Sequence, residues 1–374
     1  MKHKILFSLI LIISFSAFSS KIAASDQSPI TKKVLLVVFN PVLENYGGQR
    51  LVDYLRWNDP NTLTQEYINA IKETSWNIVS YEVTEKLEFD DYPIKPDGFK
   101  YTDQSYLQCW DDHDTCHSPD IMDYPKVIAD YHLCDIVNQK NYDEIWLFGG
   151  PWFGFWEAVT TGPEAFGTNG PPFSSSCNKL IHVMGFNYER SLSEMLEDLG
   201  HRTEGTMTHV YGGGDPYDSW PRSTQDTGWK KYTAGDKDLP NYAQCGVVHC
   251  PPNAEASKCN WQQQDLYNPR FVPSYCDDWY NYPNSTGTAT NLNCSAWNCS
   301  HLGWEKYWLK HLPHATGSTG GKINNWWRYV VDYEQAVKTD LARSVFSAYL
   351  TDEITYDQNH DQKINGLDFG LTIR

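Results

Sequence analysis

The 374-residue chain lacks most of the short signatures that would name a chemistry outright. It contains no HExxH, which excludes a standard zincin helix. No Walker loop and no GxGxxG occur, and "YGGGDP" (211–216) follows no clear strand and opens no helix, so it is a weak phosphate-binding signal. GxSxG is absent, and with it the usual nucleophile elbow. None of the ten cysteines forms a CxxC pair, which argues against a thiolate zinc site or a redox dithiol. Basic residues are scarce, 30 against 47 acidic ones. Such a surface repels nucleic acid phosphates and anionic lipid, so nucleic acid is disfavoured as a partner. No apolar run approaches the roughly 20 residues that a membrane span requires. Internal repeats and low-complexity tracts are also missing.

What is present begins with an N-terminal leader. In "MKHKILFSLILIISFSAFSSKIAAS", Lys2 and Lys4 precede an apolar run from Ile5 to Phe18, and small residues follow. This is the layout of a secretory signal peptide over residues 1–25, cleaved after Ser19 or Ser25. Cleavage after Ser25 removes three lysines, leaving 27 basic residues against 47 acidic ones, a net charge of −20. The expected mature protein is secreted, extracellular or periplasmic. All ten cysteines lie beyond the leader, as disulfide formation in an oxidising compartment would require. Local pairs Cys109–Cys116, Cys245–Cys250 and Cys294–Cys299 fit their spacings, although spacing alone does not fix connectivity. Asn284, Asn293 and Asn298 meet the N-glycosylation rule.

Hydrophobic patterning predicts an α/β fold with a largely parallel sheet over residues 30–205. "KKVLLVVFNP" (32–41), "WNIVSYEV" (76–83), "YDEIWLFGG" (142–150) and "KLIHVMGFN" (179–187) read as strands. Helices are expected over 61–75, where Thr62 and Gln65 have capping-box spacing, over 125–141 and over 188–202. From residue 206 to about 350 the texture changes to an irregular Cys- and Trp-rich region, expected to pack on the first. Fifteen tryptophans and 24 tyrosines could build a core or line a sugar-binding groove, and composition does not separate the two.

The tail, 351–374, contains "YDQNHDQKINGLDF", with Asp357, Asn359, Asp361, Lys363, Asn365 and Asp368 at the spacing of an oxygen cage. It resembles the calcium loop of EF-hand and dockerin modules. That resemblance implies Ca2+ held by the side chains of Asp357, Asn359, Asp361, Asn365 and Asp368 and by the Lys363 carbonyl. It also implies a cohesin-like partner and the company of polysaccharide-degrading enzymes.

Two constellations compete for the chemistry. In an open α/β sheet, ligands gather beyond the carboxyl ends of the strands. That rule selects Glu44, Glu157, Asn187 and Glu189 as catalytic candidates, with Asn40, Trp152, Trp156 and Arg190 to bind substrate. Paired carboxylates among aromatic rings suit glycoside hydrolysis, so a hydrolase acting on glycan or polysaccharide is the leading expectation. The second constellation is "EMLEDLGHRTEG", where Glu197, His201 and Glu204 share one helical face and could hold Zn2+ for a hydrolase or peptidase. His209, His249, His301, His311 and His314 are available to complete such a site. Against it, the apolar stripe Leu192, Met195, Leu196 and Leu199 puts Glu197 and His201 on the solvent side, and Gly200 could end the helix early. A third reading is a non-catalytic binding module built on the Trp-rich half.

Overall fold

A computed structural model describes residues 28–212, 222–260 and 262–352; the leader and the tail loop lie outside the described residues. The central sheet has five strands: β1 (Ile30–Phe39), β4 (Val79–Phe89), β5 (Glu144–Gly149), β6 (Ala158–Thr161) and β7 (Ile181–Asn187). Two-residue strands β2 (Val42–Leu43) and β3 (Gln49–Arg50) form a separate hairpin. The sheet order is β4-β1-β5-β7-β6. Pairings of β1 with β4 and β5, and of β5 with β7, are parallel; β6 closes one edge antiparallel to β7. The mostly parallel α/β architecture expected from the strand runs is therefore what forms. Val34 to Phe39 and all of β5 are buried, as strands covered on both faces must be. The described part has no helix long and apolar enough to cross a membrane.

Five helices of the first half are α1 (Leu51–Leu55), α2 (Pro60–Thr74), α3 (Asp103–Asp111), α4 (Tyr124–Asp130) and α5 (Leu133–Lys140). The cap of α2 is Asp59, which accepts from the Asn61 N–H at 2.9 Å, with Pro60 in the first turn. Thr62, the predicted cap, is the third residue of the helix, three positions past the actual cap. The helix expected over 125–141 is two, because His132 adopts a left-handed conformation and breaks it.

Helix α6 (Leu192–Tyr211) runs 20 residues, well past the expected end. It starts at a Ser191–Glu194 capping box, in which the Ser191 N–H donates to Glu194 Oε2 at 3.1 Å. Its inner face meets β6, β7 and α2, while α8 (His301–Lys310) and α9 (Trp327–Asp352) pack elsewhere around it. Gly200 does not end the helix. A Cβ there would lie 2.4 Å from the Val248 side chain, so glycine lets the loop carrying Val248 settle directly on the helix.

The second half adds α7 (Gly228–Tyr232), the short pair β8 (Val272–Ser274) and β9 (Thr290–Leu292), and the hairpin β10 (His314–Thr319) and β11 (Lys322–Asn325). Most of its order is irregular and stapled. Disulfides join Cys109–Cys116, Cys134–Cys177, Cys245–Cys276, Cys250–Cys259 and Cys294–Cys299, and no cysteine is free. Two local pairs form as spacing suggested, whereas Cys245 and Cys250 take different partners. Trp229, Trp297, Trp304, Trp308, Trp326 and Trp327 are fully buried and belong to the same hydrophobic core as the sheet. Tryptophan in this half therefore builds the interior more than it lines a groove.

Candidate metal centre

A cavity of about 800 Å³ opens beyond the carboxyl ends of β5 and β7. The cavity lies at the sheet end that the strand-end rule selects, and its lining separates the candidates. Trp152, Glu157, Asn187 and Arg190 line this cavity. Asn40, Glu44, Trp156 and Glu189 do not line it. Asn40 is buried and spent on the backbone of the β1 exit: its Oδ1 accepts from the Val52 N–H at 3.1 Å and its Nδ2 donates to Glu88 at 3.0 Å. Glu44 sits exposed in a short 3-10 turn after β2. Glu189 pairs with its neighbour Arg190 at 3.4 Å. The Trp156 ring covers Gly170, where any Cβ would come within 2.5 Å of it.

At the cavity wall α6 presents Glu197, with His201 one turn further along the helix behind it, and His249 meets both from the covering loop. These three are the described group of His, Cys, Asp or Glu residues whose ligand atoms all lie within 4.8 Å of one another. His201 Nε2 is 3.0 Å from His249 Nε2, and His249 Nε2 is 2.5 Å from Glu197 Oε1. Glu157, from the other constellation, reaches the same point: its Oε2 lies 3.4 Å from His201 Nε2 and accepts from Asn169 Nδ2 at 2.7 Å. One residue of the strand-end group, Glu157, thus meets the helical group that the sequence offered as its rival.

The covering loop is held with some care. Val248 is gripped from both sides, its N–H donating to Glu204 Oε1 at 2.9 Å and its carbonyl accepting from Trp304 Nε1. Trp308 Nε1 donates to the Gly246 carbonyl at 3.2 Å, and the disulfides at Cys245 and Cys250 anchor both flanks of His249. Glu204, expected to be a ligand, points its second oxygen at His201 Nδ1, 3.1 Å away. That fixes the ring so that Nε2 faces the cluster, as carboxylates behind metal-bound histidines do. Gln264 Nε2 donates to Glu197 Oε1 at 2.7 Å, and His301 Nε2 lies 3.1 Å from Glu197 Oε2.

Contrary to the amphipathic expectation, Glu197 and Glu204 are buried. The helix is covered on what looked like its solvent face, and the charges there perturb one another strongly. Burial works against the charged form of His201, but the Glu204 hydrogen bond and the Glu157, Glu204 and Glu197 charges hold it up at about 9. Burial likewise opposes the charging of His301, and the Glu197 and Glu305 carboxylates overcome it, to about 10. Burial would raise Glu197, yet His249 and His301 hold it below the ordinary carboxylate range. Glu157 is pushed up, first by burial and then by Glu197 and Glu204, against the opposing pull of His201. Buried carboxylates thus converge on three histidines, an arrangement that a divalent cation would relieve.

The donor set fits such an ion. Tetrahedral zinc with bonds of about 2.0–2.2 Å places its ligand atoms roughly 3.3–3.6 Å apart. The separations within the trio, 3.0 Å between His201 and His249 and 2.5 Å between His249 and Glu197, are shorter, so an ion would spread these atoms by up to about 1 Å. Two imidazoles and one carboxylate leave a coordination position for water or substrate, with Glu157 alongside.

His249 was available to sequence reasoning only as one of several loose histidines, and Gln264 and Glu305 carried no signal at all. No family model, curated protein or solved structure matches the chain.

Proposed function

We propose that the mature protein is an exported, metal-dependent hydrolase that cleaves an acyl bond, amide or ester, on a neutral glycan. The convergence of Glu197, His201 and His249 on one point, beside Glu157 and inside a large cavity, carries this reading. A bound zinc ion would polarise a carbonyl and lower the pKa of a bound water. Glu157, next to the ligand cluster, takes the proton of that water and passes it to the leaving group. Glu204 orients His201, and Gln264 orients Glu197.

The cavity selects the substrate. Glu157, Glu194, Glu197 and Asp198 make its wall acidic, which disfavours polyanions. Trp152, Phe155 and Tyr267 supply ring faces, and Asn187, Gln262 and Gln263 supply amides, a mixture suited to sugar rings and hydroxyls. The five disulfides fit an oxidising compartment, where such polymers occur. Calcium at Asp357–Asp368, with docking to a cohesin-like partner, remains part of the proposal as a property of the tail.

Acetate release from acetylated polysaccharides, compared with turnover of peptide and unsubstituted glycan substrates, tests the reading. Expected are release of acetate, its loss on chelation and its recovery with zinc. Chelator-insensitive release of reducing ends would instead favour acid–base glycoside hydrolysis, with Glu157 as one of two carboxylates.

A further inference from the structure

The two oxygens of Glu197 serve different neighbours. Oε1 faces His249 and Gln264, at 2.5 and 2.7 Å, within the three-residue cluster. Oε2 faces away from them, toward His301 Nε2 at 3.1 Å. Beyond His301 lies Glu305, whose Oε1 is 3.5 Å from the same nitrogen. Glu305 is fully buried, and neither of its oxygens receives a hydrogen bond; His301 Nε2 makes none of acceptable geometry either. A fully buried carboxyl whose one nearby donor is an imidazole 3.5 Å away and shared with Glu197 is under-satisfied, and native proteins seldom leave one so.

The arrangement repeats a pattern. Helix α6 offers a carboxylate and an imidazole one turn apart, Glu197 and His201. Helix α8, packed against it, offers an imidazole and a carboxylate one turn apart, His301 and Glu305. His301 directs Nε2 at Glu197 Oε2, and Glu305 Oε1 meets the same nitrogen from the other side.

We infer that the centre is dinuclear: a second divalent cation binds between His301, Glu305 and Glu197 Oε2, with the Glu197 carboxylate bridging the two ions. The inference rests on the metal reading of the Glu197–His201–His249 cluster. The contacts of 3.1 and 3.5 Å lie close to the roughly 3.3–3.6 Å between ligand atoms sharing one ion. A carboxylate bridge suits the separation of about 3.5–4 Å typical of two-metal hydrolytic sites. In such a pair one ion activates water while the other steadies the charge that develops on the substrate oxygen. His301 and Glu197 both line the cavity, so the second ion would also face substrate.

The test is metal stoichiometry, read without any substrate. The full mature chain is stripped with chelator, then titrated with Zn2+ in excess calcium, so that the tail loop does not contribute, and the bound zinc is measured after desalting. Two equivalents are expected for wild type and one for the isosteric Glu305→Gln. One equivalent in wild type overturns the second position and leaves the first standing; none overturns both. Two equivalents unchanged by Glu305→Gln also overturn the assignment. Wild type loaded with Mn2+ provides a check that needs no substitution: the bridge predicts an exchange-coupled pair by electron paramagnetic resonance, and a spectrum of isolated ions contradicts it.

Discussion

The α/β half and the Cys/Trp-rich half reach their order by different means, and the site needs both. In the first, hydrogen-bonded strands and long helices place side chains by regular geometry: Glu157 follows β5, and Glu197, His201 and Glu204 climb α6. In the second, strands are three residues long at β8 and β9, and disulfides and buried tryptophans do the holding. Each contributes part of one centre: the first half gives Glu157, Glu197 and His201, the second His249, Gln264, His301 and Glu305. A helix face that would be solvent in the α/β half alone becomes a buried polar wall once the irregular half covers it.

Breaking the second half's contribution should have the largest effect. His249→Gln removes a proposed ligand while keeping the fold, and turnover should drop about 10⁴-fold, in line with several kcal/mol of metal-derived stabilisation. An activity loss under tenfold in a zinc-supplemented assay would contradict the assignment.

Next comes a test of the opposite face of the same helix, which packs away from the cavity. Arg202 donates to Glu144 Oε1 at 2.7 Å and to the Val330 carbonyl at 3.0 Å, both side chains being buried. Arg202→Met strands Glu144 and should cost about 3–5 kcal/mol in denaturant unfolding. Metal affinity of the variant that remains folded should stay near wild type, which separates the structural face from the site face.

The staple beside His249 sits between these extremes. Replacing Cys250 and Cys259 together by alanine opens a loop of sequence separation 9 and should cost about 2–3 kcal/mol. Zinc affinity should fall with it, whereas the equivalent change at Cys109 and Cys116 should leave zinc binding intact. Equal effects on zinc would mean that the loop holds its shape without the staple. Glu204→Gln keeps its size but weakens the grip on His201, and should lower zinc affinity about 10- to 100-fold.

The smallest effect expected lies in the second half, away from the centre. Asp277 accepts from His311 at 3.0 Å and from Tyr307 at 2.9 Å, and the His311 contact holds it down at about 2 against the opposing influence of burial. A depressed carboxylate stabilises the fold above its ordinary pKa and loses that contribution as pH falls toward the depressed one. The melting-temperature gap between wild type and Asp277→Asn should therefore be widest near neutrality and close between about pH 4 and pH 2. A gap that stayed constant over that range would contradict this.

Most of the sheet was legible in the sequence because buried parallel strands advertise themselves as apolar runs. The strands at 32–41, 142–150 and 179–187 fall where those runs lie, and the rule about their carboxyl ends reached Trp152, Glu157, Asn187 and Arg190. It also swept in Asn40, Glu44, Trp156 and Glu189, since strand order decides which ends adjoin and sequence does not supply it. The polar face of α6 was misjudged for a related reason. Periodicity at Leu192, Met195, Leu196 and Leu199 identifies one buried stripe, but says nothing of a segment fifty residues downstream folding over the other side. Gly200 looked like a stop and is a seat for Val248. The stretch Asp357–Asp368, read as a calcium loop by resemblance, falls outside the described residues.

The anchoring of His249 between two cystines ties the history of the molecule to its chemistry. A chain still inside a reducing cytoplasm would carry every residue of the centre and lack the covalent frame that brings them together. On the proposed reading, metal binding would then mature with oxidation, once the two cystines beside His249 had formed.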